Sequence, residues 1–288
     1  MKRETQGMLL GLIGVMIFSL TLPMTRIVVA EFSPLLNGLG RALVASTPAA
    51  ALLAIRREKL PTWPQLKALA VVSLGVIIAF PVFSAWAMKS VPASHGAVVN
   101  GLQPLCVAIY AAWLSHERPS KSFWASAIAG SAIVVAFALQ AGGGAFQAGD
   151  LLMLVAVGIG ALGYAEGARL ARQMGGWQVI CWALVLSLPV MVPLALTRLP
   201  ASFGEVSSPA WLGLAYVSLF SMLIGFFFWY RGLALGGIAA VGQLQLLQPF
   251  FSLALAATLL HETVSAAMLV VTSAVVACVV GARKFSRP

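Results

Sequence analysis

Residues 103–117 read QPLCVAIYAAWLSHE, and residues 248–262 read QPFFSLALAATLLHE. Each stretch begins with Gln-Pro, ends with His-Glu and is mostly apolar in between. The two stretches lie 145 residues apart without a gap, which is close to half of the 288-residue chain. We therefore predict that the chain contains one structural unit twice, over residues 1–145 and residues 146–288.

The composition indicates that both units lie in a lipid bilayer. The chain is 60% apolar, only 9% of its residues are charged, and its mean hydropathy is +0.96. A soluble domain carries about a quarter charged residues, whereas an uncharged run of about 20 residues spans a membrane as a helix. The sequence thus predicts an all-α integral membrane protein. Charged or Pro/Gly-rich breaks leave ten predicted spans, at residues 8–29, 34–55, 65–87, 92–115, 121–140, 149–171, 177–197, 209–231, 238–260 and 264–282.

Lysine and arginine residues set the predicted orientation, because they are enriched in cytoplasmic loops. With a cytoplasmic N-terminus, fourteen of the 18 basic residues fall on the cytoplasmic side, and only Arg26, Lys89 and Arg198 fall outside. We therefore predict that both termini are cytoplasmic. The net charge of +10 is spread between the apolar runs instead of forming one patch, so no nucleic-acid partner is expected.

The repeat and the span count together predict inverted halves. Five spans per half is an odd number, so equivalent ends of the two halves fall on opposite faces of the membrane. His116 and Glu117 are thus predicted at the cytoplasmic face, and His261 and Glu262 at the outer face. Inverted repeats around a central site are typical of secondary transporters, which open that site alternately to either side. We expect each of these glutamates to accept hydrogen bonds from the first N–H groups of the following helix.

On these features the sequence resembles the EamA-type drug/metabolite transporters. The resemblance rests on ten predicted spans, two inverted five-helix halves, and a proline-containing fourth and ninth span that each end in glutamate. Within that superfamily the chain is most similar to the YddG-type exporters of aromatic and other amino acids. The resemblance implies a bacterial inner-membrane exporter with a central cavity between its halves.

Four amide side chains are candidates for substrate binding. Asn100 and Gln103 share one face of the fourth span, and Gln245 and Gln248 repeat the arrangement 145 residues later. Uncharged amides both donate and accept hydrogen bonds, which suits a zwitterion. The alternative is that these amides only join neighbouring helices, with each bond contributing about 0.6 kcal/mol in a membrane.

Other candidates come from polar, aromatic and proline residues inside the spans. Arg41 either extends to the outer face or binds a substrate carboxylate. The remaining substrate-binding candidates are Tyr164, Phe83, Ser19 and Thr21, and the candidate hinges are Pro23, Pro104 and Pro249.

The function favoured by these residues is export of small amphipathic metabolites, most of all amino acids including aromatic ones. A multidrug or quaternary-cation exporter is the alternative, although the first span carries no deep carboxylate of the kind that small multidrug proteins use. The sequence contains no nucleophile–base set, metal-ligand spacing or phosphate-binding glycine motif. We therefore expect no enzymatic activity, no metal and no cofactor, and a monomer whose partners are the small-molecule substrate and the bilayer.

The acidic residues favour downhill export. Seven of the eight, Asp150 among them, fall at helix ends or in loops of the span map. Glu166 lies within a span, where Arg169 is one turn away and is expected to keep it ionised. The sequence therefore predicts flux that follows the substrate gradient.

Overall fold

The computed structural model describes residues 3–114, 121–141, 146–197, 204–236, 241 and 243–284. These residues form helices and short connections, with no strand among them. Seven long helices are α1 (Arg3–Glu31), α2 (Pro34–Ile55), α3 (Trp63–Ser90), α4 (Ala93–Leu114), α6 (Ala148–Met174), α7 (Gly176–Leu196) and α8 (Ser208–Gly236). The others are α5 (Lys121–Ala141), α9, which joins a 3-10 segment Gln243–Leu247 to Gln248–Leu259, and α10 (Ala266–Lys284).

The seven long helices are long and apolar enough to cross a membrane. Helices suit this medium because they satisfy every backbone hydrogen bond within one segment, where lipid offers no partner. Three apolar stretches in the described residues are shorter, namely Trp124–Phe137 in α5, Leu244–Leu259 in α9 and Ala266–Cys278 in α10. The fold is therefore that of an all-helical, multi-pass membrane protein, and the count of ten spans stays a prediction.

Interruptions within the helices recur at the spacing of the sequence repeat. The helices α3 and α8 each contain a π-helical segment, and these segments end 145 residues apart, at Ala79 and Ile224. Gly101 and Leu102 interrupt α4 just before Gln103, and the 3-10 segment of α9 ends just before Gln248. Irregular backbone inside a membrane helix is tolerated where it is enclosed by protein or lines a cavity. Each half thus contains two irregular points at equivalent positions.

Glycines let α1 and α8 pack in direct backbone contact. A Cβ atom added at Gly7 would lie 2.3 Å from the backbone nitrogen of Gly236, and one at Gly232 would lie 2.7 Å from that of Gly11. The helices α3 and α6 approach similarly, because a Cβ atom at Gly75 would lie 2.9 Å from the Cα atom of Gly163. Small residues allow this approach between membrane helices.

The buried apolar residues form two clusters. One cluster joins α1, α2, α3, α7 and α8 with the C-terminal part of α6, and the other joins α4, α5, α9, α10 and the N-terminal part of α6 with the ends of α1 and α3. The start of α4 lies against the segment that follows α9, because Glu262 accepts hydrogen bonds from the backbone N–H groups of Ala93 and Ser94. The helices α4 and α9 therefore run in opposite directions.

This arrangement leads to a topology prediction. In a chain freed of its own cysteines, Arg118→Cys beside Glu117 is expected to react with an impermeant maleimide only after the cytoplasmic face is exposed. Thr263, beside Glu262, is exposed. Thr263→Cys is therefore expected to react in intact cells. The physical reason is that the predicted span map places an odd number of spans between the two positions. Labelling of both from the same side would contradict the inverted repeat.

Candidate functional site

A cavity lies in the interior of the bundle, where the two apolar clusters meet. It is small, with about 20 Å³ of free space, which is room for roughly one water molecule. Helices from both halves contribute to its wall. The lining residues are Phe18, Thr21, Leu22, Arg41, Val76, Phe80, Asn100, Gln103, Tyr164, Ser221, Met222, Phe226 and Gln248.

Arg41 is the charged residue of this wall. Its side chain is 3% exposed, and its Nη2 donates to the Ser221 hydroxyl at 3.1 Å. The same hydroxyl is 2.8 Å from that of Thr21. Within the described residues, the Nε and Nη1 atoms of Arg41 have no hydrogen-bond partner and no carboxylate forms a salt bridge with it. Arg41 therefore does not extend to the outer face but lines the cavity.

An unpaired guanidinium in the interior is energetically unfavourable. Removing a charge from water costs several kcal/mol, which only a counter-charge with good hydrogen-bond geometry offsets. Arginine presents a planar fork of donors that matches a carboxylate or phosphate. The cavity is thus arranged to accept an anionic group at Arg41.

Three amides contribute polar groups to the same cavity. Asn100 and Gln103 reach it from α4, and Gln248 reaches it from α9. Among the residues that the structure describes, the buried Oδ1 atom of Asn100 and the buried Nε2 atom of Gln103 have no hydrogen-bond partner. Because unsatisfied buried polar groups are rare in folded proteins, these atoms provide one acceptor and one donor for a ligand. The cavity therefore combines a cationic group with neutral hydrogen-bonding groups.

Aromatic rings form another part of the wall. The ring centroids of Phe18 and Phe226 are 4.9 Å apart, and those of Tyr164 and Phe226 are 5.5 Å apart. Phe80 completes this group from α3. Such tilted pairs are favoured arrangements of aromatic rings. They leave an apolar surface beside the polar groups, which suits an amphipathic ligand.

The sequence profile of one family matches the chain twice, over residues 5–139 and residues 147–283. The chain belongs to the EamA-like transporter family. It is therefore a membrane transporter and not an enzyme, and the EamA-type resemblance is confirmed. The narrower similarity to YddG-type exporters stays a resemblance.

Two relatives extend this family assignment. The chain is 51% identical over 287 residues to a protein of Bacillus subtilis (strain 168) named "Uncharacterized transporter YdeK", and the alignment covers 100% of both chains. A protein known from a crystal structure is 21% identical and matches with a TM-score of 0.68, covering 99% of this chain and 98% of its own. At that identity the second likeness concerns the fold alone.

Some candidate residues of this EamA-like transporter lie away from the cavity wall. Ser19 is buried and donates to the carbonyl groups of Val15 and Gln248, so it joins α1 to α9. Gln245 is buried in the 3-10 segment of α9 but is not part of the lining. Phe83 follows Phe80 by one turn of α3, and it is Phe80 that lines the cavity.

The three candidate hinge prolines all follow an irregular point of a helix. Pro23 comes three residues after Leu20, which interrupts α1, and Pro104 comes two residues after Leu102. Pro249 is the second residue of the α-helical part of α9. Proline lacks the backbone N–H and disturbs the preceding turn. The hinge role itself stays a prediction.

Several residues that the sequence analysis did not select also belong to the site. Ser221 and Val76 were not among the candidates. These two lie 145 residues apart and both line the cavity. The repeat spacing that paired Gln103 with Gln248 could therefore have identified them.

Acidic residues at one end of the bundle connect helices that are distant in sequence. Glu31, at the end of α1, accepts from the backbone N–H of Ser207 at 2.7 Å. Glu262 accepts from the N–H groups of Ala93 and Ser94 at 2.9 and 2.8 Å. The expectation that Glu262 binds the start of the following helix is therefore wrong, because the end of α9 lies against the start of α4. Glu117 lies outside the described residues.

Two other features bear on ion binding. Glu166 and Arg169 form the expected ion pair, with Nη2–Oε1 and Nε–Oε2 distances of 2.5 and 2.9 Å. In the described parts of the chain, no three His, Cys, Asp or Glu residues come together in a way that could hold a metal ion.

Proposed function

We propose that this chain is a secondary transporter that exports small amphipathic metabolites, chiefly amino acids including aromatic ones. We further propose that it acts in a bacterial inner membrane as a monomer, with both termini in the cytoplasm. The observation that carries the proposal is Arg41, a buried guanidinium with two unpartnered nitrogens on the cavity wall.

The cavity offers a separate partner for each part of an amino acid. The carboxylate pairs with Arg41, which neutralises the buried charge. The ammonium group donates to the unpartnered Oδ1 atom of Asn100 and to other neutral oxygens nearby. The side chain packs on the rings of Phe18, Tyr164 and Phe226.

Transport requires the cavity to change shape, because an amino acid is larger than its present free space. The irregular points of α3, α4, α8 and α9 supply places at which the two halves can bend. Exchange of conformation between two inverted halves would open the cavity to one side and then the other. The substrate gradient supplies the drive in this scheme.

The charge of the cavity separates this proposal from the export of quaternary cations. Arg41 repels a cation, and none of the lining residues is a carboxylate that could attract one. A cationic drug would therefore add an unfavourable charge interaction in a region of low dielectric. The alternative exporter is disfavoured on this ground.

Reconstituted transport tests the proposal. Proteoliposomes loaded with labelled phenylalanine, leucine, a quaternary ammonium drug or a sugar are diluted into buffer without substrate, and efflux is compared with that from protein-free liposomes. We expect efflux of the two amino acids and none of the cation or the sugar. Drug or sugar flux without amino-acid flux would refute the assignment of substrate class.

A further inference from the structure

A histidine and an aspartate form a buried pair at the end of the bundle that holds Glu31 and Glu262. The Nε2 atom of His95, in the first turn of α4, is 2.5 Å from Oδ1 of Asp150, in the first turn of α6. His95 is 5% exposed and Asp150 is 0% exposed. The other carboxylate oxygen, Oδ2, accepts from the backbone N–H of Gln147 at 2.9 Å. Asp150 therefore lies at a helix end, as the span map predicted, and it is enclosed there.

No other described residue forms a salt bridge with the pair. The ring of Phe137 in α5 lies 4.9 Å from that of His95. Among the described residues, His95 and Asp150 form a salt bridge only with each other. At this end of the elements packed around α4, the other ionisable groups that the structure describes are Arg26, Glu31, Lys89, His261 and Glu262.

Each of these groups is either occupied elsewhere or exposed. Arg26 donates to the carbonyl of Met88, and Glu31 and Glu262 bind the backbone groups described above. Lys89 and His261 are exposed to solvent. Lys121 in α5 is sixteen residues from Phe137, about 24 Å along the helix. Cys278, Arg283 and Lys284 lie in the second half of α10, and the Gln248–Leu259 part of α9 has no ionisable residue.

The pair connects the two halves of the chain beside the helix that lines the cavity. The helix α4 belongs to the first half and α6 to the second, and Asn100 follows His95 by five residues, about 7.5 Å along α4. Glu262 ties the same turn of α4 to the second half through backbone N–H groups. If the two halves moved apart at this end of the cavity, the His95–Asp150 contact and the contact of Glu262 with α4 would both be broken.

We propose that His95 and Asp150 form a proton-binding site that closes this end of the transporter when the solution beyond it is acidic. Imidazole is the side chain whose charge changes between pH 5 and 8. A protonated His95 is attracted to the carboxylate of Asp150, and this attraction is lost when the halves separate and water surrounds both groups. Acidification therefore favours the closed arrangement, and deprotonation favours opening. Because the proton is taken up and released on one side, the direction of flux still follows the substrate gradient.

The contact made by Glu262 supplies the internal comparison. Its partners are backbone N–H groups, which do not titrate, so replacing this carboxylate loosens the same end without removing the proposed proton-binding site. The exposed His261 lies at the same end and, among the described residues, forms no salt bridge with His95 or Asp150. A variant at Glu262 therefore shows what a general loosening of this end does. A variant at His261 shows what the loss of another histidine at this end does. Neither change removes the proposed proton-binding site.

The test measures opening directly and needs no substrate. In nanodiscs of a cysteine-free chain, the maleimide labelling rate of Ser94→Cys, a buried position in the first turn of α4, is divided by that of the exposed Thr263→Cys to cancel the pH dependence of the thiol. Between pH 8 and pH 5.5 we expect this ratio to fall at least about threefold in the parent, because the histidine becomes charged. His95→Gln and Asp150→Asn are each expected to abolish the change.

The control variants are expected to behave differently. His261→Asn, in which asparagine tolerates the positive φ of 52° at that position, should keep the parental pH response. Glu262→Gln should raise labelling at both pH values and keep their ratio. A flat parental profile, or an unchanged pH response in both His95→Gln and Asp150→Asn, would overturn the proposal. Because labelling is independent of flux, a failed amino-acid assay would leave this result interpretable.

Discussion

Replacement of Arg41 by alanine is expected to lower the transport of carboxylate-bearing substrates by about a hundredfold or more. Removing one member of a buried ion pair costs about 3–5 kcal/mol, and each 1.4 kcal/mol is about a tenfold change in affinity. In Arg41→Ala the substrate carboxylate would enter the cavity without a counter-charge. Counterflow of labelled phenylalanine in proteoliposomes measures the loss.

The charge and the shape of the guanidinium can be separated. Arg41→Lys keeps the charge but replaces the fork of donors by a point charge, so we expect partial transport. Arg231→Ala, at an exposed arginine of α8, is the matched control and should transport like the parent. Parental flux in Arg41→Ala would show that the carboxylate binds elsewhere or that the substrate lacks one.

The stability of the same variants provides an independent check. Arg41 has no counter-ion in the described structure, so its burial destabilises the protein. Arg41→Leu is therefore expected to keep or raise the unfolding temperature while transport is lost. Such opposite effects are typical of functional residues that are strained or poorly solvated. A large fall in unfolding temperature would instead indicate a structural role for the arginine.

Much of the fold followed from two properties of the sequence, namely its hydropathy and its repeat. Apolar runs separated by charged breaks predicted the helices, because lipid leaves a spanning segment few other conformations. The 145-residue spacing predicted that Gln103 and Gln248 are equivalent, and both line the cavity. These inferences needed only local patterns and a comparison of the chain with itself.

Other site residues could not be placed from a regular helical period. Gln245 lies in a 3-10 segment, where successive side chains are separated by a larger angle than in an α-helix. In α3, a π-helical segment precedes Phe80 and changes the face on which the following residues lie. An even spacing of 3.6 residues per turn therefore cannot predict whether Gln245 or Phe83 faces the cavity.

The periodicity of the sequence could not predict contacts between residues that are far apart along the chain. His95 and Asp150 are 55 residues apart, and no local pattern in the sequence connects them. The sequence did not predict whether Arg41 extends to the outer face or binds a substrate, because the residues near its side chain, Thr21 and Ser221, lie on other helices. Only the packing of α1, α2 and α8 determines which direction the guanidinium takes.

Gln103→Leu and Gln248→Leu are each expected to reduce transport about tenfold while leaving expression and folding close to the parent. Leucine is similar in size to glutamine but removes the amide, and an unmade hydrogen bond to a buried polar group costs about 1–3 kcal/mol. Here the group left without a partner belongs to the bound substrate, so transport suffers more than stability.

Gln245→Leu is the matched control, because Gln245 is equally buried in α9 yet lies outside the lining. Initial efflux rates of labelled phenylalanine, with unfolding temperatures measured on the same preparations, separate the two roles of the amides. If all three variants transport alike and lose stability alike, the amides serve to join helices. A selective loss in Gln103→Leu and Gln248→Leu would instead mean that one amide from each half touches the substrate, as expected when equivalent positions of two repeats enclose a single site.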